Sequence, residues 1–172
     1  MPLAFFNQYV ALAAAVLGTL LFIVLERQKR RIMPGFLRYF YRDHELGTVA
    51  YEPLAYLLSI VALLALSIVF MPEACYVAIV VMTVGDGLAA LIGRRLRGPK
   101  LPYSRKTLYG SLAGFILAAA AGYLFAGPVA IAGSAGGMVA EAYAGKYDNA
   151  ITAAVALVCT TLAVMLLPGL WR

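Results

Sequence analysis

Residues 71–95, MPEACYVAIVVMTVGDGLAALIGRR, decide what kind of molecule this is. From Ala74 to Ile92 the run is apolar apart from the single charge of Asp86. That is close to the roughly 20 residues a helix needs to cross a bilayer. Pro72 stands where a helix can start, because its missing N–H would have no partner there. Arg94 and Arg95 close the run with the basic residues that mark a cytoplasmic membrane boundary.

Working outward, five more apolar segments predict spans, giving six in all at 4–25, 54–71, 74–92, 108–126, 128–145 and 150–168. Met71-Pro72-Glu73 and Gly127-Pro128 read as tight turns between consecutive helices. The composition agrees: 63% of the 172 residues are hydrophobic and 13% charged, with a mean hydropathy of +0.87. Soluble domains have about 45–50% and about 25%. A chain of this size cannot bury so much apolar surface in a core of its own, so lipid must be its main solvent. A soluble enzyme, a DNA-binding domain and a disordered tail are excluded. The expected fold is an all-α, polytopic transmembrane helix bundle forming a single domain over 1–172.

The N-terminal MPLAFFNQYV lacks the basic region of a signal peptide, so the first segment reads as a retained helix. Cys75 and Cys159 lie in apolar runs and read as small hydrophobes, with no disulfide or zinc spacing. Gly110-x-x-x-Gly114 and Gly133-x-x-x-Gly137 read as close-packing faces, and they offer a surface for a homodimer. In 36–42 the apolar residues Phe36, Leu37, Phe40 and Tyr41 recur at helical spacing between Arg38 and Arg42, which predicts a short interfacial helix in the first loop.

Basic residues set the orientation. Residues 26–53 carry six, residues 93–107 carry six with no acid, and Lys146 lies between segments 5 and 6. With six spans, all but Arg172 of the 14 basic residues fall on one face, the cytoplasmic one, and both termini lie outside. The net charge of +6 thus reports topology and membrane lipid contact, and nucleic acid is not an expected partner.

Two acids, Asp86 and Glu141, lie inside apolar segments, where a charge costs on the order of 2.5–3.5 kcal/mol or more. Both are placed toward the cytoplasmic ends of their spans, and Asp148 follows in the same inner connection. Asp86, Ala90 and Gly93 are expected on one helical stripe, as are Gly133, Gly137, Glu141 and Asp148. Carboxylates hold Mg²⁺ through hard oxygens, often together with substrate phosphates. Arg and Lys neutralise phosphate oxygens. Ser104-Arg-Lys-Thr107 falls where segment 4 should begin, and a helix N-terminus attracts anions. The set predicts a phosphate-bearing substrate at the cytoplasmic surface. It is not a P-loop: in Gly93-x-x-x-x-Gly98-Pro99-Lys100, Pro99 replaces the motif's Lys and no hydroxyl residue follows Lys100.

These residues also carry a resemblance. Gly85-Asp86-Gly87-Leu-Ala89-Ala-Leu-Ile-Gly93-Arg94-Arg95, followed by Ser104-Arg-Lys106-Thr107-Leu-Tyr-Gly110-Ser111-Leu-Ala-Gly114, resembles the polyprenol kinase family, which includes dolichol, phytol and CTP-dependent diacylglycerol kinases. Glu141 and Asp148-Asn149 match its later E…DN element, and Leu37 to Glu45 is similar to the R-x-H-E stretch of the phytol kinase branch. The match covers roughly residues 37–150. Two departures stand out: no His follows Arg27-Gln-Lys-Arg-Arg31, and Tyr109 precedes Gly110 where many relatives have an acid.

The resemblance implies transfer of the γ-phosphoryl group of CTP, or another nucleoside triphosphate, to the hydroxyl of an isoprenoid alcohol or diacylglycerol in a prokaryotic cell membrane. Asp86, Glu141 and Asp148 would hold Mg²⁺ or position the nucleophile. Arg94, Arg95 and Lys106 would hold the triphosphate, with Thr107 and Ser111 at the helix start and Asn149 orienting a metal ligand or the ribose. His44 or Glu45 would act as base or contact the lipid hydroxyl. Three other readings stand beside this one: a CTP-dependent cytidylyltransferase making a CDP-lipid, a non-enzymatic transporter of anionic lipids, and a structural bundle anchored by its basic loops, which leaves Asp86 and Glu141 unexplained.

Overall fold

The computed structural model describes residues 7–28, 51–96, 98–145 and 147–170. The expected interfacial helix, His44 and Glu45 lie outside these residues. Every regular element among the described residues is helical: α1 (Gln8–Gln28), α2 (Tyr51–Leu66), α3 (Pro72–Val80), α4 (Asp86–Leu96), α5 (Leu108–Ala126), α6 (Ala130–Tyr143) and α7 (Asp148–Leu166). A π-helical turn, Val81–Gly85, joins α3 to α4, and short 3-10 turns occupy Gly127–Val129 and Pro168–Leu170.

Gln8–Gln28, Pro72–Leu96, Leu108–Tyr143 and Asp148–Leu166 are long and apolar enough to cross a membrane, and Tyr51–Leu66 is a shorter apolar helix. The 36-residue stretch Leu108–Tyr143 is itself broken at Gly127, whose φ of 58° caps α5 and lets the chain turn into α6. Each of the six expected segments therefore coincides with a helix over most of its described residues, and the protein is an integral membrane protein built as a helical bundle. The second helix is shorter than expected. It ends at Leu66 rather than Met71, and the Ser67 hydroxyl donates to the Leu64 carbonyl 2.7 Å away, which competes with the helix ladder.

The chain divides into two compact units, 1–61 and 62–172. The first contains α1, a 21-residue helix, and the start of α2. The second, 62–172, holds the rest. At its centre α3 buries Ala74, Cys75, Val77, Ala78, Ile79 and Val80. A helix apolar all round belongs inside a bundle, and α5, α6 and α7 pack against it.

Backbone contact through glycine holds this bundle together. Without a hydrophobic driving force between helices in lipid, close packing has to supply the attraction. A Cβ on Gly110 would meet the Ala89 carbonyl at 2.6 Å, and one on Gly114 the Gly85 carbonyl at 2.6 Å. Gly133 abuts the Thr160 hydroxyl, and a Cβ on Gly137 would lie 2.9 Å from that of Ala156. Both glycine faces pack inside this unit, one against α4 and the π-turn before it and the other against α7, as the close-packing reading expects. The packed stripe, Gly85 of the π-turn with Ala89 and Gly93 of α4, runs beside the expected stripe of Asp86, Ala90 and Gly93 and shares Gly93 with it, so Asp86 sits at the edge of the contact.

Candidate active site

The π-turn comes first in building the site. Thr83 donates its hydroxyl to the Ile79 carbonyl at 2.7 Å. The helix widens over Val81–Gly85 and returns to α geometry at Asp86. A π-turn adds one residue to a helical turn, so residues beyond it are rotated relative to an unbroken helix. Such turns concentrate at functional sites.

The connection from α4 to α5 is a hairpin-like loop. Lys100 and Thr107 form an isolated antiparallel bridge, the Leu101 N–H donates to the Lys106 carbonyl at 2.9 Å, and the Leu108 N–H to the Pro99 carbonyl at 2.8 Å. Tyr103, fully exposed at the tip with φ 59°, makes the reversal. The Ser104 hydroxyl pins the loop to the end of α6 by donating to the Ala142 carbonyl, while its oxygen accepts the Lys106 N–H at 3.0 Å. Thr107 caps α5 by accepting the Gly110 N–H at 3.2 Å, a contact that contributes about 1 kcal/mol. Helix α5 begins at Leu108, where the sequence placed it.

Pinning Ser104 beside Ala142 carries Lys106 to the preceding residue, Glu141. The Lys106 ammonium donates to Glu141 Oε1 and to Asp86 Oδ1, the latter 3.3 Å away. Exposure falls steeply across the trio: 32% for Lys106, 28% for Asp86 and 1% for Glu141. Glu141 Oε2 is buried with no hydrogen-bond partner among the described residues. Burial disfavours the Lys106 charge, but the hydrogen bonds and negative charges of Glu141 and Asp86 outweigh it, so its pKa lies above the ordinary lysine value.

Lys106 also forms one wall of a cleft of about 270 Å³, with Arg94, Arg105, Thr107, Ser111 and the small residues Ala89, Ala90, Gly93 and Gly110. Cations and the capped start of α5 therefore face one space, floored by residues too small to fill it.

The expected site residues divide. Asp86, Lys106 and Glu141 meet directly; Arg94, Lys106, Thr107 and Ser111 share the cleft. Arg95 is exposed and does not line it. Ala89, Ala90, Gly93 and Arg94 share one side of α4, and the next step of the helix carries Arg95 round to the other. Arg105 takes that second place, a residue whose only sequence signal was its position beside Lys106. Asp148 accepts the Asn149 N–H at 2.8 Å at the start of α7, and neither residue lines the cleft. Among the described residues no three carboxylate, histidine or cysteine side chains form a metal-holding group, so the expected three-carboxylate set is not assembled. The stripe from Gly133 to Asp148 fails because α6 ends at Tyr143 and the chain turns before Asp148.

No protein-family profile, no curated protein and no solved structure matches this chain.

Proposed function

We propose that this protein is a membrane lipid kinase that moves the γ-phosphoryl group of CTP, or another nucleoside triphosphate, onto a lipid hydroxyl. One observation carries the reading: Lys106 is shared between an intramembrane carboxylate pair and a basic cleft at a helix start. Phosphoryl transfer asks chiefly for positioning and charge neutralisation. Arg94, Arg105 and Lys106 would take the phosphate oxygens, assisted by the N-terminus of α5. Asp86, the more exposed acid, would orient the incoming hydroxyl and take up its proton. Glu141 would hold the Lys106 ammonium in place.

Asp86, 28% exposed, is the carboxylate that would hold Mg²⁺, which is commonly bound by one or two carboxylates together with substrate phosphates. The bound ion would neutralise charge on the transferring phosphoryl group. The active site would face the cytoplasm with both termini outside, the orientation that the concentration of basic residues in 26–53 and 93–107 favours. Cysteines introduced at Lys100 or Tyr103 should then react only with cytoplasmic reagent, and a tag after Arg172 only from outside. A cytoplasmic C-terminus would overturn this topology.

The deciding experiment incubates purified protein with labelled CTP or ATP, Mg²⁺ and a panel of phytol, geranylgeraniol, dolichol and diacylglycerol. A phosphorylated lipid with nucleoside diphosphate supports the kinase. A CDP-lipid with pyrophosphate makes it a cytidylyltransferase, and no turnover with any pair sinks both.

A further inference from the structure

Glycine packing fixes the register between α6 and α7. A Cβ on Gly133 would meet the Thr160 hydroxyl and lie 3.1 Å from the Ala156 carbonyl. One turn on, a Cβ on Gly137 would lie 2.9 Å from that of Ala156 and 3.5 Å from the Thr152 carbonyl. Four residues forward on α6 thus answer four residues back on α7, as antiparallel helices of equal rise require. The next such step brings Glu141 level with Thr152. Both side chains are 1% exposed, and each carries an oxygen with no hydrogen-bond partner among the described residues, Glu141 Oε2 and Thr152 Oγ1. Thr160, on the same face of α7, donates to the Ala156 carbonyl at 2.8 Å, as Thr83 does to that of Ile79. Thr152 makes no such bond to its own helix, so its hydroxyl is free to serve a neighbour.

We propose that Thr152 is a positioning residue: through one buried water its hydroxyl holds Glu141 Oε2, and so fixes the carboxylate that grips Lys106. A buried hydroxyl and a buried carboxylate oxygen left unpaired are each costly, and native interiors pair such groups with protein or with ordered water. The two oxygens share one level of one interface without bonding each other, so a single bridging molecule satisfies both. Lys106 already supplies Glu141 with a positive charge through Oε1, so a neutral bridge suits Oε2. Water can donate to the carboxylate and accept the threonine hydroxyl, which is how buried waters join otherwise unsatisfied groups. Being uncharged, it does not stand in for the ammonium on Oε1. With both oxygens held, the carboxylate has one orientation, and Lys106 is aimed from the α6–α7 interface into the cleft. This account rests on helix register and burial, and it holds whatever reaction the cleft serves.

The test uses the full chain in detergent, without nucleotide or lipid substrate, so its outcome is independent of any phosphoryl transfer. Trace acetic anhydride labels lysines, mass spectrometry reads Lys106, and the exposed Lys100 is the internal standard. Thr152→Val swaps the hydroxyl for a methyl of the same shape. It should raise Lys106 labelling about fivefold relative to Lys100, the equivalent of about 1 kcal/mol of lost hydrogen bonding, and lower the melting point by about 2–4 °C. Thr152→Ser keeps the hydroxyl and should restore both values. In a Glu141→Met background, where Oε2 no longer exists, Thr152→Val should add nothing to Lys106 labelling. A hydroxyl that truly serves nothing predicts the opposite sign: Thr152→Val would melt higher, with Lys106 labelling unchanged, and that result overturns the proposal. So does a labelling change that persists in the Glu141→Met background, because it would not pass through the carboxylate. A structure of the parent protein that resolves ordered solvent should show one water within hydrogen-bond distance of both oxygens; a direct bond between the two overturns the bridge.

Discussion

Lys106→Met tests the centre of the site most directly. The substitution keeps the bulk of the stem and removes the ammonium that joins Glu141 to Asp86. Glu141 is only 1% exposed and one of its oxygens already lacks a partner, so no water or neighbouring donor replaces the lost cation. Removing one member of a buried ion pair costs about 3–5 kcal/mol. At about 2–4 °C per kcal/mol for a chain of this size, the melting point should fall by about 6–20 °C. The converse change, Glu141→Gln, should cost less, about 1 kcal/mol. Lys106 is 32% exposed and keeps Asp86 at 3.3 Å, so its charge retains both water and a partner. The double variant should be more stable than Lys106→Met alone, because it leaves no buried unpaired charge. Melting in detergent can be followed with a thiol-reactive dye, since Cys75 is buried and becomes reactive on unfolding. The exposed Lys100→Gln is the control and should stay within about 0.5 kcal/mol of the parent. If Lys106→Met melts with the Lys100→Gln control, or the double variant is the sum of the singles, the trio is not an energetic unit.

Asp86→Asn should lower turnover on the order of 10²–10⁴-fold, the usual contribution of a proton-accepting group, with little change in melting; full activity would make the acid structural. Gly110→Ala drives a Cβ to 2.6 Å from the Ala89 carbonyl and should cost about 1–3 kcal/mol, whereas Gly18→Ala meets nothing within 4 Å and should stabilise α1 by up to about 1 kcal/mol; equal effects in a melting assay would refute the close-packing account. The Lys106 pKa is raised on folding, so its stabilisation should be full below the ordinary lysine value of about 10.4 and lost as pH rises through its higher folded value. Urea titrations should show a loss at alkaline pH that Lys106→Met lacks, and its appearance near neutral pH would contradict the raised value.

The membrane class, the helical segments and the capped start of α5 were legible in the sequence because each rests on local information. Run length, hydropathy, a Pro or Gly at a joint and a Thr ahead of a helix act within a few residues of chain. That Asp86 and Glu141 call for a partner was legible too, since an acid in an apolar run carries its cost wherever the partner lies. Their partnership was not. It depends on Ser104 reaching the Ala142 carbonyl, a contact across 38 residues that sets Lys106 beside Glu141. Helical phase before the site was also hidden: an even periodicity carried through 74–92 has no place for the π-turn at Val81–Gly85. The resemblance that grouped Arg95 with Arg94 carried no information on which side of α4 meets the cleft, and the spacing that aligned Asp148 with Glu141 ran past the end of α6 at Tyr143. Residue chemistry and local propensity are properties of the chain, whereas direction and juxtaposition are set by which helices pack and where each one stops.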